Sequence, residues 1–463
     1  NLGVAIRAAA ERPDRASSLG IPVKAVQTLV WAIAASLAFL ALYLRAGVIG
    51  LPVGGGLGFG LLLRALAALM IGRLESLPAV LGASVALGML HQGIDWNQDT
   101  SLVGDAIMAL VIIVALLARR IRKERGELEL GSFQAVGEIR RLPKALSRLP
   151  EILVLRFGAT IGFAAFLLWL PRWMDTTNTL RASYLHLVIM VVVSLVVLTG
   201  WAGQLSLGQW AFVSIGAVVG AELTQEWGVD LILATLGAGV AGVVASLAVG
   251  LPALRLRGLY LAVTSLAFVV ATTSYLLNPR FFDWLPSGRI ERFPIAGRID
   301  WTSSFAMYHV SLVAMALTFV AVAGIRSSRT GRVLIAMREN ESAAEAYGVD
   351  ATRAKLTAFS ISGFIAAAAG ALIVHHQQAF VVGGEAQASI GLFIAGVTGG
   401  LGSMLGASIG ALNWWGGRWW LPDNFRLLST GIGVLIVLLM LPGGIAGGLY
   451  QLRDAGLRRL AER

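Results

Sequence analysis

Residues 331–349 read GRVLIAMRENESAAEAYGV, and residues 3–21 read GVAIRAAAERPDRASSLGI. The two stretches align without a gap at a constant offset of 328. Gly3, Ala8, Glu11, Ala16 and Gly20 then fall on Gly331, Ala336, Glu339, Ala344 and Gly348. Ile6 and Ile21 pair with Leu334 and Val349, and each copy leads through a few polar residues into an apolar run, at 25–46 and 356–376. A weaker echo joins 72–84 (GRLESLPAVLGAS) to 399–408 (GGLGSMLGAS). Apolar runs resemble one another by chance, but polar stretches have no such reason to share glutamate and glycine positions. The chain therefore carries a duplicated unit.

The residue types in the repeat imply a shape. Val333, Met337, Ala344 and Tyr347 recur at helical spacing, with Arg338, Glu341 and Glu345 left for other faces. Asn340 suits a helix N-cap and Glu341 suits a first turn. The first copy has Pro13 at the matching position, a residue favoured at the start of a helix and disfavoured inside one. Each copy reads as a short helix, a break and a second short helix, ended by Gly20 or Gly348 in the left-handed conformation. Such a pair is either an amphipathic helix resting on lipid headgroups or a rigid knob whose small residues admit another surface. The repetition and the small side chains favour the knob.

Composition supplies the solvent. The 463 residues are 57% hydrophobic and 14% charged, against about 25% charged in a soluble domain, so the bilayer must cover much of the surface. Thirteen Trp and 55 Gly agree, since Trp gathers at membrane interfaces and Gly at helix contacts. There is no Cys, which excludes disulfides and thiolate metal sites and leaves the redox compartment open. No secretory signal is visible, and the opening at Asn1 without Met leads us to expect a natural start upstream. The net charge of +11 lies in short runs beside apolar segments, densest at ARRIRKER (118–125) and EIRRLPKALSRLP (138–150). That is the positive-inside pattern, not a nucleic-acid footprint.

Spanning helices need about 20 apolar residues. Runs of that kind occupy 25–46, 152–171, 185–202, 230–252, 258–277, 306–325, 356–376 and 427–447. Shorter or glycine-broken runs lie at 56–72, 79–92, 104–118, 207–224 and 388–413, some of them suited to half-helices or re-entrant segments. The expected fold is all-α: a polytopic helical membrane protein with about twelve transmembrane or half-membrane helices in two related units. The units are 1–118 and 151–463, joined by a basic linker at 119–150 in which Pro143 and Pro150 interrupt any helix. Arg-rich residues 1–24, 119–150, 326–355 and 450–463 belong in the cytosol, and 172–184 and 278–305 outside.

In GWAGQLSLGQ (200–209), small residues surround two amides and a hydroxyl between apolar runs. Gly203, Gln204, Ser206 and Gln209 are candidates for a translocation pathway, because polar groups at membrane depth need partners or a wet cavity. A broken helix there could offer backbone groups to a zwitterion. Close packing through small residues explains the same pattern equally well. Arg255 and Arg257 read as positive-inside anchors at a cytosolic turn. His375 and His376 are adjacent, point different ways on a helix and read as interfacial, so no metal site is expected. Glu75 is either a loop residue or a functional carboxylate. No G-x-x-x-x-G-K-[ST] phosphate loop occurs, so ATP hydrolysis does not belong to this chain, and neither enzyme activity nor a cofactor is expected.

With these motifs in order, the chain resembles the permease subunits of bacterial branched-chain amino-acid ABC transporters, the LivH and LivM type. The LivM-like part covers about residues 151–463 and rests on LTGWAGQLSLGQWAFVSIGA (198–217), LPALRLRGLYLAVTSLAF (251–268), the 331–349 stretch and GGLGSMLGASIGA (399–411). Residues 1–118 resemble the C-terminal part of a LivH-like partner, whose own GxAGQxxLxxGAF-like motif is absent here, so the first unit is incomplete as given. The resemblance implies a permease in the bacterial inner membrane that moves branched-chain amino acids or similar small polar solutes by ATP-driven alternating access. It implies two ABC ATPase subunits on the cytosolic side, held by coupling loops containing Glu11, Ala16, Gly20, Arg338, Glu339, Ala344 and Gly348. It also implies an extracytoplasmic solute-binding protein. Amino-acid, amide and urea importers share these motifs, so the solute is not fixed. Two other readings compete. An ion-coupled secondary transporter would need a buried carboxylate near the midplane, and no acidic residue lies securely inside a strong span. A membrane scaffold would use the loops to recruit partners without transport.

Overall fold

The computed structural model describes residues 2–50, 59–72, 76–97, 102–117, 150–254, 258–286, 288–380, 385–422, 425, 432–441 and 443–461. The linker at 119–149, Glu75, Arg255 and Arg257 lie outside the described residues. Among those residues the regular elements are helices, as the sequence implies. Six of them are long and apolar enough to cross a membrane: Val23–Val48, Leu77–Ile94, Thr176–Trp201, Leu231–Leu251, Ser304–Ser327 and Ala351–Gln377. Shorter apolar helices accompany them. The chain divides into two compact units, one formed by residues up to 61 and the other by the described residues from 62 onward.

The first unit holds α1 (Leu2–Glu11), α2 (Pro13–Ser18) and α3 (Val23–Ile49). α3 is apolar around its circumference and turns large side chains such as Trp31, Phe39 and Leu44 outward, as a helix solvated by lipid does. After it come α4 (Phe59–Ile71), α5 (Leu77–Asn97), α6 (Leu102–Leu117) and α7 (Pro150–Trp169). The centre of the second unit is built from α8 (Thr176–Leu195), α9 (Gln209–Gln225), α10 (Leu231–Ala253), α11 (Leu259–Ala271) and α12 (Ser304–Ser327). The short α13 (Arg329–Glu339) and α14 (Glu341–Ala346) lead into the long α15 (Ala351–Gln377). α16 (Glu385–Gly399), α17 (Met404–Ala411), α18 (Ile432–Met440) and α19 (Gly444–Ala461) complete it.

α8 and α15 are the buried axis. α9 lies parallel to α15, with Gln209 bonded to Ser362 near one end and Thr224 to His375 near the other. Between these bonds the backbones touch. A Cβ on Gly216 would fall on the Ala367 carbonyl, and one on Gly370 would fall on the Val213 carbonyl. In a bilayer the tails are as apolar as leucine, so helices associate through such close backbone contact and through polar bonds, not through hydrophobic exclusion.

Two sequence expectations need correction. The run 427–447 is not one span: its helix ends at Met440, where Pro442-Gly443-Gly444 follows, and Gly444 (φ +74°) redirects the chain into α19. Proline cannot continue a helix and the glycine takes a left-handed turn. The histidines, read as interfacial, are largely enclosed by protein. His375 is 1% exposed, with its Nε2 2.9 Å from the Thr224 hydroxyl, and His376 Nε2 lies 2.8 Å from the Ser183 hydroxyl. Residues 288–303 lie against them, with the Trp301 and His375 ring centres 5.8 Å apart. Arg292 reaches from that segment to donate to the carbonyls of His375, His376 and Thr302 at 2.8, 2.9 and 2.9 Å, capping the C-terminal end of α15. Burial pushes its guanidinium below the ordinary arginine range, with Arg289 acting in the same direction.

Candidate functional site

The two copies of the repeat fold alike. α1 is followed by a break at Arg12 (φ −147°, ψ 88°) and α2; α13 is followed by a break at Asn340 (φ −157°, ψ 100°) and α14. Pro13 opens α2, and the Asn340 side chain accepts the Ala343 N–H at 2.9 Å to open α14. Each knob closes with the same bond, Ile21 N–H to Ala16 O at 3.0 Å and Val349 N–H to Ala344 O at 3.1 Å. Gly20 and Gly348 have φ of +83° and +82°, where a side chain would be strained. Ala16 and Ala344 are buried and face inward. Tyr347 leaves the stripe that helical spacing assigns it, because the helix breaks at Asn340 and stops at Ala346. It is 92% exposed, and Leu19, its counterpart at the same offset, is 80% exposed. Each knob thus ends in a solvent-facing apolar tip.

The second knob is tied inward at two points. Lys355 Nζ at the start of α15 lies 2.7 Å from Glu341 Oε1, with the side chains 9% and 27% exposed. Glu341→Ala would strand the more buried ammonium and is expected to cost about 3 kcal/mol. Lys355→Met leaves a carboxylate that water reaches and should cost less, and the double variant should recover part of the loss. Thermal unfolding of the four proteins in detergent checks the order; equal losses for both single variants would contradict it. The other tie is Arg338, whose Nη1 donates to the Gly200 carbonyl at 2.7 Å.

Gly200 lies in a widened turn, Val196–Trp201, that ends α8. From there residues 203–208 run without regular structure back to Gln209, whose amide is level with Ser194: Ser194 Oγ donates to Gln209 Oε1 at 3.2 Å, and Gln209 Nε2 donates to Ser362 Oγ at 2.9 Å. Ser362 is eleven residues into α15, about 16 Å along it, so irregular backbone lies at membrane depth. Such backbone persists only where protein satisfies it. Here the Leu207 N–H donates to Ser265 Oγ at 2.9 Å, the Leu207 carbonyl accepts from Ser389, and Thr199 Oγ1 donates to Gln204 O at 2.9 Å. Ser206 caps the Gly208 N–H at 3.1 Å. Gln209 and Ser206 are 1% exposed, while Gly203 and Gln204 are half-buried. Ser194, Ser265, Ser362 and Ser389 carry no sequence signal beyond a small hydroxyl in an apolar run.

A second break meets the first. Between α16 and α17 the chain turns through Gly400 (φ +107°), and Ser403 caps α17 by accepting the Gly406 N–H at 2.9 Å. The Leu401 carbonyl of this turn occupies the space a Cβ on Gly200 would take. The motifs at 198–217, 331–349 and 399–411 therefore converge at Gly200. Ser408, in the one G-x-S-x-G of this region, lies inside α17 with its hydroxyl donating to Met404 O at 3.0 Å, not on the strand–turn–helix that a nucleophile requires. Apart from this site, α4, α5 and α6 bring ionisable groups together: Arg64 Nη2 lies 2.9 Å and Asp105 Oδ1 3.6 Å from His91 Nε2.

Comparison with known proteins bears on this arrangement. The family model described as "Branched-chain amino acid transport system / permease component" matches residues 1–116 and 179–415. The high-affinity branched-chain amino acid transport system permease protein LivM of Salmonella typhimurium is 29% identical over 317 residues, covering 61% of this chain and 74% of that protein. LivM of Escherichia coli is 28% identical over the same shares. The autoinducer 2 import system permease protein LsrC of an Enterobacter species is 32% identical over 178 residues, 36% of this chain and 51% of that protein. No solved structure matches the chain.

Proposed function

We propose, since the chain belongs to the family of branched-chain amino acid transport permease components, a function that starts from that membership. It is a multi-pass membrane protein of the bacterial inner membrane and a permease subunit of an ABC importer. Beyond that, our reading is that it carries branched-chain amino acids or similar small polar solutes by ATP-driven alternating access. A LivH-like unit (1–118) and a LivM-like unit (151–463) act together through the linker at 119–150. Two separate ATPase subunits grip the knobs, and an extracytoplasmic binding protein delivers the solute. A nucleotide shifts a conformational balance only through differential affinity, so the knobs must fit the ATPase differently in its two states.

The observation that carries this reading is the matched pair of knobs, alike from the break at Arg12 and Asn340 to the exposed Leu19 and Tyr347. The Arg64–His91–Asp105 group favours an ion-coupled transporter as the second reading, because ionisable residues within membrane helices mark ion and proton paths. Proteoliposomes containing the chain, its ATPase subunits and a binding protein decide between them. Radiolabelled leucine, isoleucine or valine should enter only with ATP and should continue to enter after an ionophore collapses ion gradients. Uptake that follows the gradient at constant ATP would establish the second reading. No uptake and no bound ATPase would leave a scaffold.

A further inference from the structure

We infer that Arg338 is a strut that carries movement of the second knob to the break between α8 and α9, and that it is a positioning residue, not a contact for the ATPase. The inference rests on reading that knob as the ATPase-docking element. Although Arg338 lies in a surface helix, its side chain is 15% exposed and points inward. Its guanidinium holds the carbonyl of Gly200 at 2.7 Å, at the end of the widened turn where the chain leaves its helix. A charged donor on a carbonyl makes a short, strong bond. The stem of the same side chain fills the space beside Gly203: a Cβ there would lie 3.0 Å from Arg338 Cγ, and Gly203 has φ +67°. On its other flank Gly200 abuts Leu401 of the second break, so the strut stands where both breaks meet.

The second tie of the knob differs in kind. Glu341 binds Lys355 at the start of α15, which is one continuous helix, whereas Arg338, besides a 4.0 Å ion pair with its neighbour Glu339, holds the Gly200 carbonyl in the widened turn that ends α8. The first copy has Ala10 at the position matching Arg338. The strut is therefore one-sided: of the two knobs in this chain, only the second can push on a break through this residue.

The chain lacks cysteine, so a single Leu205→Cys reports on the break. In the complete transporter in proteoliposomes, its labelling by a membrane-impermeant maleimide should change about threefold or more when ATP and vanadate are added. Adding Arg338→Met should abolish that change while the ATPase subunits still co-purify, and Arg338→Lys should retain part of it. An unchanged response in the Arg338→Met protein overturns the strut, and so does loss of the ATPase subunits, which would make Arg338 a docking contact. No response with Arg338 present removes the docking reading itself. A covalent replacement gives the second measurement. A Cβ on Gly203 would lie 3.5 Å from Arg338 Cβ, within the span of a disulfide, about 3.5–4.5 Å. Oxidised G203C/R338C should take up leucine faster than its reduced form. A cross-link that forms and blocks uptake overturns the strut.

Discussion

Gly216→Ala, a change of one carbon, is expected to leave less than about a tenth of the protein folded and competent for uptake, through an overpacking cost of about 3 kcal/mol or more. The added methyl would lie on the backbone carbonyl of Ala367, where no rotamer change can relieve it. The only relief is separation of α9 from α15, and the bonds from Gln209 to Ser362 and from Thr224 to His375 on either side resist that. Gly370→Ala should fail for the mirror reason, its methyl lying on Val213 O. Gly324→Ala is the control. It is the same chemical change in an exposed turn of α12 with open space around it, and it should be neutral or stabilising by up to about 1 kcal/mol. The fraction of monodisperse protein in detergent and its melting temperature separate the outcomes. Equal stability of Gly216→Ala and Gly324→Ala would show that the two helices are not in backbone contact.

That contact illustrates what the sequence discloses and what it conceals. Helix breaks in the repeat were legible because single residues cause them: Pro13 cannot be internal to a helix, Asn340 caps one, and Gly20 and Gly348 accept a positive φ. The all-α membrane class was legible because a long apolar run has few other uses. Pairings were not. Nothing local distinguishes Ser362, bonded to both Gln209 and the Ser194 carbonyl, from Ser360 two residues earlier, which bonds only back along its own helix to Leu356 O. The inward turn of Arg338 was hidden for a related reason. A knob reads as charged and alternating in sequence, and only the neighbouring break decides which charge is buried. Asp105 gives no sequence signal because it stands in the first turn of a short apolar helix, and its proximity to His91 depends on how two helices pack.

The double variant Leu19→Ala/Tyr347→Ala should lose its ATPase subunits. Large apolar side chains on a short polar knob are poorly placed for water, and the two occupy the same position of two folded copies, left exposed by the described residues. Buried against a partner, an anchor of this size contributes about 2 kcal/mol, or about thirtyfold in affinity. Either single variant should therefore weaken co-purification, and the two together should abolish it, with ATP-dependent uptake falling in the same order. Trp31→Ala on α3 removes a larger exposed side chain, but one that the lipid-solvated helix explains, and association should survive it. The competing view puts both tips in the headgroup layer as interfacial anchors. Under that view the double variant keeps its ATPase subunits, because no tip touches them. Retention with full uptake would therefore count against gripped knobs, whereas loss confined to the double variant and absent from Trp31→Ala requires that the tips meet protein.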